Sequence, residues 1–73
     1  MNEIIGRYYI ETGYGFDINN ATITEIKGKD KFGRTIMGEC IFGGTWNECI
    51  EQAEEWYQQE MEALEDYLLA CAR

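Results

Sequence analysis

Apolar and polar residues recur with a helical period over the C-terminal part of the chain, residues 46–73. At about 100° per residue, the apolar side chains fall into one sector of a helix. This sector holds Trp46, Cys49, Ile50, Ala53, Trp56, Tyr57, Met61, Leu64, Tyr67, Leu68 and Cys71. The opposite sector is rich in carboxylates, namely Glu48, Glu51, Glu54, Glu55, Glu62, Glu65 and Asp66. The pattern predicts one long amphipathic helix with an apolar face and an acidic face.

The start of this helix is marked by Thr45-Trp46-Asn47-Glu48, which fits a capping box. In this motif the Thr45 hydroxyl accepts a hydrogen bond from the Glu48 amide, and the Glu48 carboxylate accepts one from the Thr45 amide. Two residues depart from the pattern. Glu60 lies in the apolar sector, where its carboxylate either reaches water past the sheet edge, pairs with a sheet Lys or Arg, or contacts a partner. Leu69 lies among the acids and is interpreted as an exposed apolar residue, or as part of a contact surface.

The first 44 residues read as β-structure. Residues 3–11, 21–28 and 34–42 are rich in β-branched and aromatic side chains and are separated by Gly and Asn turn signals. Ile23 and Ile26 are out of phase with strict alternation, which predicts a bulge, a twist or burial on both faces. Gly33 is expected to supply a positive φ in the 29–33 turn. On the last strand, Ile36, Cys40 and Phe42 are expected to face the helix.

These elements predict an α+β fold in which a three-stranded antiparallel sheet packs on one long C-terminal helix, in the order β-β-β-α. The chain is interpreted as one domain, residues 1–73, with the sheet in 1–44 and the helix in 45–73. The helix would span about 40 Å and eight-residue strands about 27 Å, so its last turns should extend past the sheet. That extension carries Leu64, Leu68 and Leu69, which we expect to contact a second copy or a target protein.

Charge is distributed unevenly along the chain. The net charge is −8, of which residues 1–45 contribute −1 and residues 46–73 contribute −7. An anionic lipid surface would repel such a protein, and no segment approaches the ~20 apolar residues of a membrane span, so no membrane partner is expected. The three cysteines, Cys40, Cys49 and Cys71, show no metal-binding spacing and are interpreted as free core thiols in a reducing, cytoplasmic setting.

Residues suited to catalysis are scarce. The chain has no His, no Gly-rich phosphate loop and no EF-hand spacing among its acids. Its carboxylates lie on a convex surface, whereas general acid–base chemistry needs a concave, desolvated site. We therefore expect a protein that is not an enzyme and that holds no cofactor and no metal.

The acidic sector itself suggests a function. Seven charges from Glu48 to Asp66 cover about 27 Å of helix, or one per ~4 Å, close to the one per ~3.4 Å of a DNA strand. The first hypothesis is a binding protein that occupies the basic site of a nucleic-acid-handling protein without binding nucleic acid itself. In size and charge it resembles small acidic phage-encoded inhibitors, including many anti-CRISPR proteins. Tyr14 and Phe16, in a Gly-rich segment, are candidates for an additional contact. The alternative is an acidic face that serves only solubility.

Two further hypotheses concern the rest of the chain. Phe42-Gly43-Gly44-Thr45 followed by Ala53-Glu54-Glu55-Trp56 resembles the strand-end and helix pattern of the arm-type DNA-binding domain of phage integrases and of the plant AP2 domain. This resemblance implies DNA binding by a basic sheet, here through Arg7, Lys27, Lys29, Lys31 and Arg34. The third hypothesis is a homodimerising structural module that uses the end of the helix.

Overall fold

The computed structural model describes residues 1–13 and 17–71. Four strands, β1 (Asn2–Ile5), β2 (Tyr8–Thr12), β3 (Ala21–Lys29) and β4 (Thr35–Gly44), precede the helix α1 (Trp46–Cys71). The strands form one sheet in the order β1-β2-β3-β4, and each pair of neighbours is antiparallel. The α+β class with one C-terminal helix is confirmed, whereas the expected three strands are corrected to four.

The additional strand arises because the expected first strand is a hairpin. Ile5 pairs with Tyr8, so the chain reverses within the two intervening residues, Gly6 and Arg7. Gly6 adopts a φ of 59°, a conformation that favours glycine over other residues. A Cβ at this position would also lie 2.5 Å from Cδ2 of Tyr57. The turn therefore depends on the only residue type that lacks a Cβ.

The pairing of β3 with β4 is irregular, as the phase of Ile23 and Ile26 predicts. The register shifts between Ile23 and Thr24, between Thr24 and Ile26, and between Ile26 and Gly28. Ile23 pairs with Phe42 and Thr24 pairs with Cys40, so Ile41 is the extra residue of the first irregularity. A bulge of this kind changes which side chains reach a given face.

These irregularities correct the expected inner face of the last strand. Phe42 packs against the core, as expected. Ile36 is 44% exposed and Cys40 is exposed, so neither is covered by the helix. The extra residue at Ile41 interrupts the alternation from Phe42 to Cys40, and Ile36 lies further along the strand.

The core lies between β2, β3 and the first half of α1. Its buried residues are Tyr8, Ile10, Ala21, Ile23, Cys49 and Ala53. Trp56 adds to this cluster, with its ring centroid 5.3 Å from that of Tyr8 and 6.1 Å from that of Phe42. Of the three cysteines expected in the core, only Cys49 is buried, and Cys40 and Cys71 are exposed. Cys40 is displaced by the bulge and Cys71 lies beyond the sheet.

The predicted helix start is confirmed, with one change in its cap. The Glu48 amide donates to the Thr45 hydroxyl oxygen at 3.1 Å. The Glu48 carboxylate accepts from the Thr45 hydroxyl at 3.0 Å rather than from the Thr45 amide. The single hydroxyl therefore serves as both acceptor and donor, and it fixes the first turn of α1 at the end of β4.

The helix extends past the sheet, as the predicted lengths of the helix and the strands indicate. Every residue from Met61 to Cys71 is exposed, and Glu60 is the last helical residue that is partly buried. We call residues 61–71 the helix extension, and it is about 16 Å long. The molecule is accordingly elongated, with principal extents of 52 × 31 × 16 Å.

Candidate functional surface on the helix

The seven carboxylates predicted to lie together do share one side of α1, and we call them the acidic face. They are Glu48, Glu51, Glu54, Glu55, Glu62, Glu65 and Asp66, and all seven are exposed. The sheet contacts the opposite side of the helix through Cys49 and Ala53, which are fully buried. Packing of α1 on the sheet therefore turns the acidic face outward along the length of the helix.

The acidic face is not neutralised within the part of the chain that the structure describes. The three ion pairs among residues 1–13 and 17–71 are Arg7–Glu60, Lys27–Glu25 and Arg34–Asp30, and none of them includes a member of this face. Two members accept hydrogen bonds from uncharged neighbours: Glu48 from Thr45, and Glu55 from the Gln59 amide at 3.4 Å. The negative charge of the face is therefore retained.

Glu60 pairs with the sheet, which decides among the alternatives left open by the sequence. Its Oε1 accepts from the Arg7 guanidinium and from the Tyr8 hydroxyl, both at 2.5 Å. Tyr8 is only 5% exposed. Burial raises the pKa of the Tyr8 hydroxyl, and the hydrogen bond to the Glu60 carboxylate raises it further. Glu60 therefore attaches the helix to the β1–β2 turn at the point where the helix leaves the sheet.

Three of the five cations implied for DNA binding, Arg7, Lys27 and Arg34, pair with the protein's own carboxylates. Lys29 and Lys31 form no ion pair among the described residues. Lys27 binds Glu25 at 3.0 Å, and this contact lowers the pKa of the Glu25 carboxyl. The Arg34 backbone amide holds the pKa of Asp30 below its usual range, and the Arg34 side chain binds the same carboxylate at 2.9 Å. The implied basic sheet is therefore reduced in net charge. The fourth strand is a further departure from the three-stranded order of the DNA-binding domains named above.

A second surface follows from the helix extension. Leu64 is 49% exposed and Leu68 is 56% exposed, and both lie on the apolar sector. Leu69 is 65% exposed but lies on the same side as the acidic face. The structure thus places the three leucines predicted for a partner contact on the part of α1 that the sheet does not cover, although they do not form one patch.

Near the start of the helix, a shallow depression is lined by Ile18, Asn19, Thr45, Trp46 and Asn47. The Trp46 amide donates to the Ile18 carbonyl oxygen at 2.7 Å, which joins Ile18 to the first residue of the helix. No lining residue has a titratable side chain. Tyr14 and Phe16, predicted as contact residues, lie outside the described residues.

Two features are absent from residues 1–13 and 17–71. No group of three or more His, Cys, Asp or Glu side chains there is arranged to hold a metal ion. No helix in these segments combines the length and the apolar character needed to cross a membrane.

The helical pattern predicts the acidic face and allows a pair between Glu60 and a Lys or Arg, but it does not predict that Tyr8 binds the same carboxylate. The signal for it was present, because a carboxylate in an apolar sector needs a partner when the helix is packed. The identity of the partner depended on the turn at Gly6, which was not predicted. Comparisons of the chain with family models, with curated proteins and with solved structures find no significant match.

Proposed function

We propose that this protein is a small acidic binding protein, and that its acidic face occupies the basic nucleic-acid-binding site of a target protein. The observation that carries the proposal is that seven carboxylates are exposed on one side of α1 and have no cationic partner among the described residues. A stability-optimised surface would mix in Lys at i,i+4 positions, and this face contains none.

The spacing of the charges supports a site that normally binds nucleic acid. From Glu48 to Asp66 the face presents about one charge per 4 Å of helix axis, and a DNA strand presents one per ~3.4 Å. A basic groove shaped for phosphates would therefore meet a comparable line of anions. Counterions released from both surfaces would drive the association, and added salt would weaken it.

Two sets of substitutions with equal net charge test whether the line of charges matters. The helix set is Glu51→Gln, Glu54→Gln and Glu62→Gln, and the sheet set is Glu3→Gln, Glu11→Gln and Glu39→Gln. All six residues are exposed, and each set changes the net charge from −8 to −5. Binding to poly-L-lysine is measured by calorimetry over a salt series. We expect the helix set to weaken binding and to flatten its salt dependence more than the sheet set.

Two outcomes would contradict a special role for the acidic face. If the two sets weaken binding equally, then net charge alone determines the association, and the acidic face has no special role. If neither set weakens it, the carboxylates of this face do not contact the polycation. Glu48 is left unchanged in both sets because it also caps the helix.

A further inference from the structure

The hairpin formed by β3 and β4 projects beyond the neighbouring strand β2. Pairing between β2 and β3 ends at Tyr8 and Glu25. Past that point β3 and β4 continue to pair with each other, as far as Lys29 and Thr35. We call residues 26–37 the hairpin arm, and most of its residues are exposed. The arm is therefore available to a partner along most of its length.

The hairpin arm carries charge of the opposite sign to the rest of the chain. It holds four bases, Lys27, Lys29, Lys31 and Arg34, against the single acid Asp30, so its net charge is +3. Because the whole chain has a net charge of −8, the remaining residues carry −11. Lys29 and Lys31 form no ion pair in the described part of the chain. The hairpin arm therefore favours an anionic partner, whereas the acidic face favours a cationic one.

Asp30 fixes the turn at the tip of the hairpin arm. Its Oδ1 accepts from the Phe32 amide and from the Arg34 amide, each at 2.9 Å. Its Oδ2 accepts from Nε of Arg34, also at 2.9 Å. The Gly33 amide donates to the Asp30 carbonyl oxygen at 3.0 Å. The turn therefore holds the backbone of Phe32 in one position, which lowers the entropy lost when a partner binds.

Phe32 presents an exposed aromatic ring at this tip, with two cations beside it. It is 70% exposed, the largest fraction among the exposed apolar side chains of the described residues. Nζ of Lys31 lies 5.2 Å from the ring centroid and Cζ of Arg34 lies 5.1 Å from it. Solubility and protection of a sheet edge account for lysines on a hairpin, but they do not account for an exposed phenyl ring. Aromatic rings beside cations are the usual means of binding single-stranded nucleic acid.

We propose that the tip of the hairpin arm binds single-stranded nucleic acid, with one base stacked on Phe32 and neighbouring phosphates paired with Lys29 and Lys31. A duplex fits less well, because its bases are already stacked on one another. An acidic peptide would pair with the lysines but would leave Phe32 without a partner. An anionic membrane would bring a wide negative surface toward the carboxylates of the rest of the chain. The proposal does not depend on the proposed function, since the acidic face takes no part in this contact.

Fluorescence anisotropy with a labelled oligothymidylate of about 15 nucleotides tests the contact, at about 20–150 mM NaCl. We expect wild type to bind this probe more tightly than it binds a duplex of equal length or labelled poly-L-glutamate. Phe32→Ala should weaken binding by about 10-fold or more, because the stacking of a base on the ring is lost. Phe32→Tyr keeps an aromatic ring and should bind within about twofold of wild type.

A matched pair of lysine substitutions tests the phosphate contacts. Lys31→Gln and Lys27→Gln each remove one positive charge from the hairpin arm, but Lys27 already binds Glu25 at 3.0 Å. Lys31→Gln should reduce the slope of log K against log[salt] by about 0.7, the value for one phosphate contact with a single strand. Lys27→Gln should leave that slope nearly unchanged.

Several results would overturn the proposal. These are no binding of wild type to the oligothymidylate at about 20 mM NaCl, unchanged binding in Phe32→Ala, and equal changes of slope in the two lysine variants. Equal or tighter binding to the duplex, to poly-L-glutamate or to phosphatidylserine vesicles would also overturn it. None of these results concerns the binding of the acidic face to poly-L-lysine, which Phe32→Ala should leave unchanged.

Discussion

Tyr8 is part of the buried core and also contacts the helix through its ring and its hydroxyl. Its ring packs beside Trp56, and its hydroxyl donates to Glu60, the last helical residue that is partly buried. The neighbouring Arg7 binds the same carboxylate oxygen. One carboxylate thus joins Arg7 of the β1–β2 turn and Tyr8 of β2 to the helix. Loss of the Tyr8 hydroxyl proton is therefore expected to lower the stability of the whole fold.

The raised pKa of Tyr8 predicts a loss of stability in alkali. Unfolded tyrosine loses its proton near pH 10, whereas folded Tyr8 keeps its proton to a higher pH. Above about pH 10 the unfolded state binds fewer protons than the folded state, so the free energy of unfolding falls as pH rises. The stabilisation is fully present below that pH. Urea titrations from about pH 8 to 11 should show a shallower decline in Tyr8→Phe than in wild type.

The matched control is Tyr67→Phe, which removes an exposed hydroxyl on the helix extension. It should keep the wild-type decline, because Tyr67 lies outside the core. An identical alkaline decline in Tyr8→Phe and wild type would show that the Tyr8 proton does not contribute to folding stability.

Gly6 and Gly33 allow a second comparison at the level of single residues. Both have a positive φ, 59° and 79°, so an alanine at either position is strained by about 1–2 kcal/mol. At Gly33 a Cβ would meet nothing within 4 Å, whereas at Gly6 it would meet Tyr57 at 2.5 Å. Gly6→Ala should therefore lower the free energy of unfolding more than Gly33→Ala does. Equal losses in chemical denaturation would mean that the contact with Tyr57 adds nothing.

Among the elements, α1 has one side that packs on the sheet and an opposite, acidic side. Repulsion between the like charges of the acidic side lowers the stability of the helix. Glu51 has three acidic neighbours at i,i±3 or i,i+4, namely Glu48, Glu54 and Glu55. Each such pair costs a helix about 0.2–0.5 kcal/mol. Glu51→Gln should therefore raise the free energy of unfolding by about 0.6–1.5 kcal/mol at low salt, with a smaller gain at high salt.

The converse variant is Gln58→Glu, which adds like-charge neighbours at Glu54, Glu55 and Glu62. It should lower stability under the same low-salt conditions. If the two variants change the denaturation midpoint in the same direction, repulsion along the acidic face is not what limits the stability of the helix.

Some features of the helix and strands can be predicted from the sequence, and others cannot. Thr45 and the Glu-rich pattern were sufficient to predict the helix and its faces, because capping and periodicity are local properties. The phase of Ile23 and Ile26 predicts an irregularity, and the structure shows it as register shifts between β3 and β4. The β-rich pattern of residues 3–11 predicts a single strand through Gly6, so it does not predict the first hairpin. The inner face of β4 could not be predicted, because it depends on where Ile41 is extruded from the pairing.

At the scale of the whole molecule, a thin core supports a helix that is longer than the sheet needs. The core holds Ile10, Ile23 and Cys49 as its largest fully buried side chains, all near the first half of α1. The helix extension contributes no buried residue, yet it carries three of the seven carboxylates of the acidic face. Because the core does not include the helix extension, its length is consistent with a role in binding.

Affinity purification with three baits tests whether the acidic face binds a nucleic-acid-handling protein. The baits are the wild-type chain, the helix set of Glu51, Glu54 and Glu62 substitutions, and the sheet set of Glu3, Glu11 and Glu39 substitutions. Each is used on lysate of the organism that encodes the protein at about 50 and 500 mM salt, and captured proteins are assayed for release from labelled duplex DNA. If the acidic face occupies a nucleic-acid-binding site, wild type and the sheet set should capture a basic DNA-binding protein at low salt and displace it from DNA. The helix set should capture no such protein. Capture that is equal for all three baits, or that leaves the DNA bound, would contradict it.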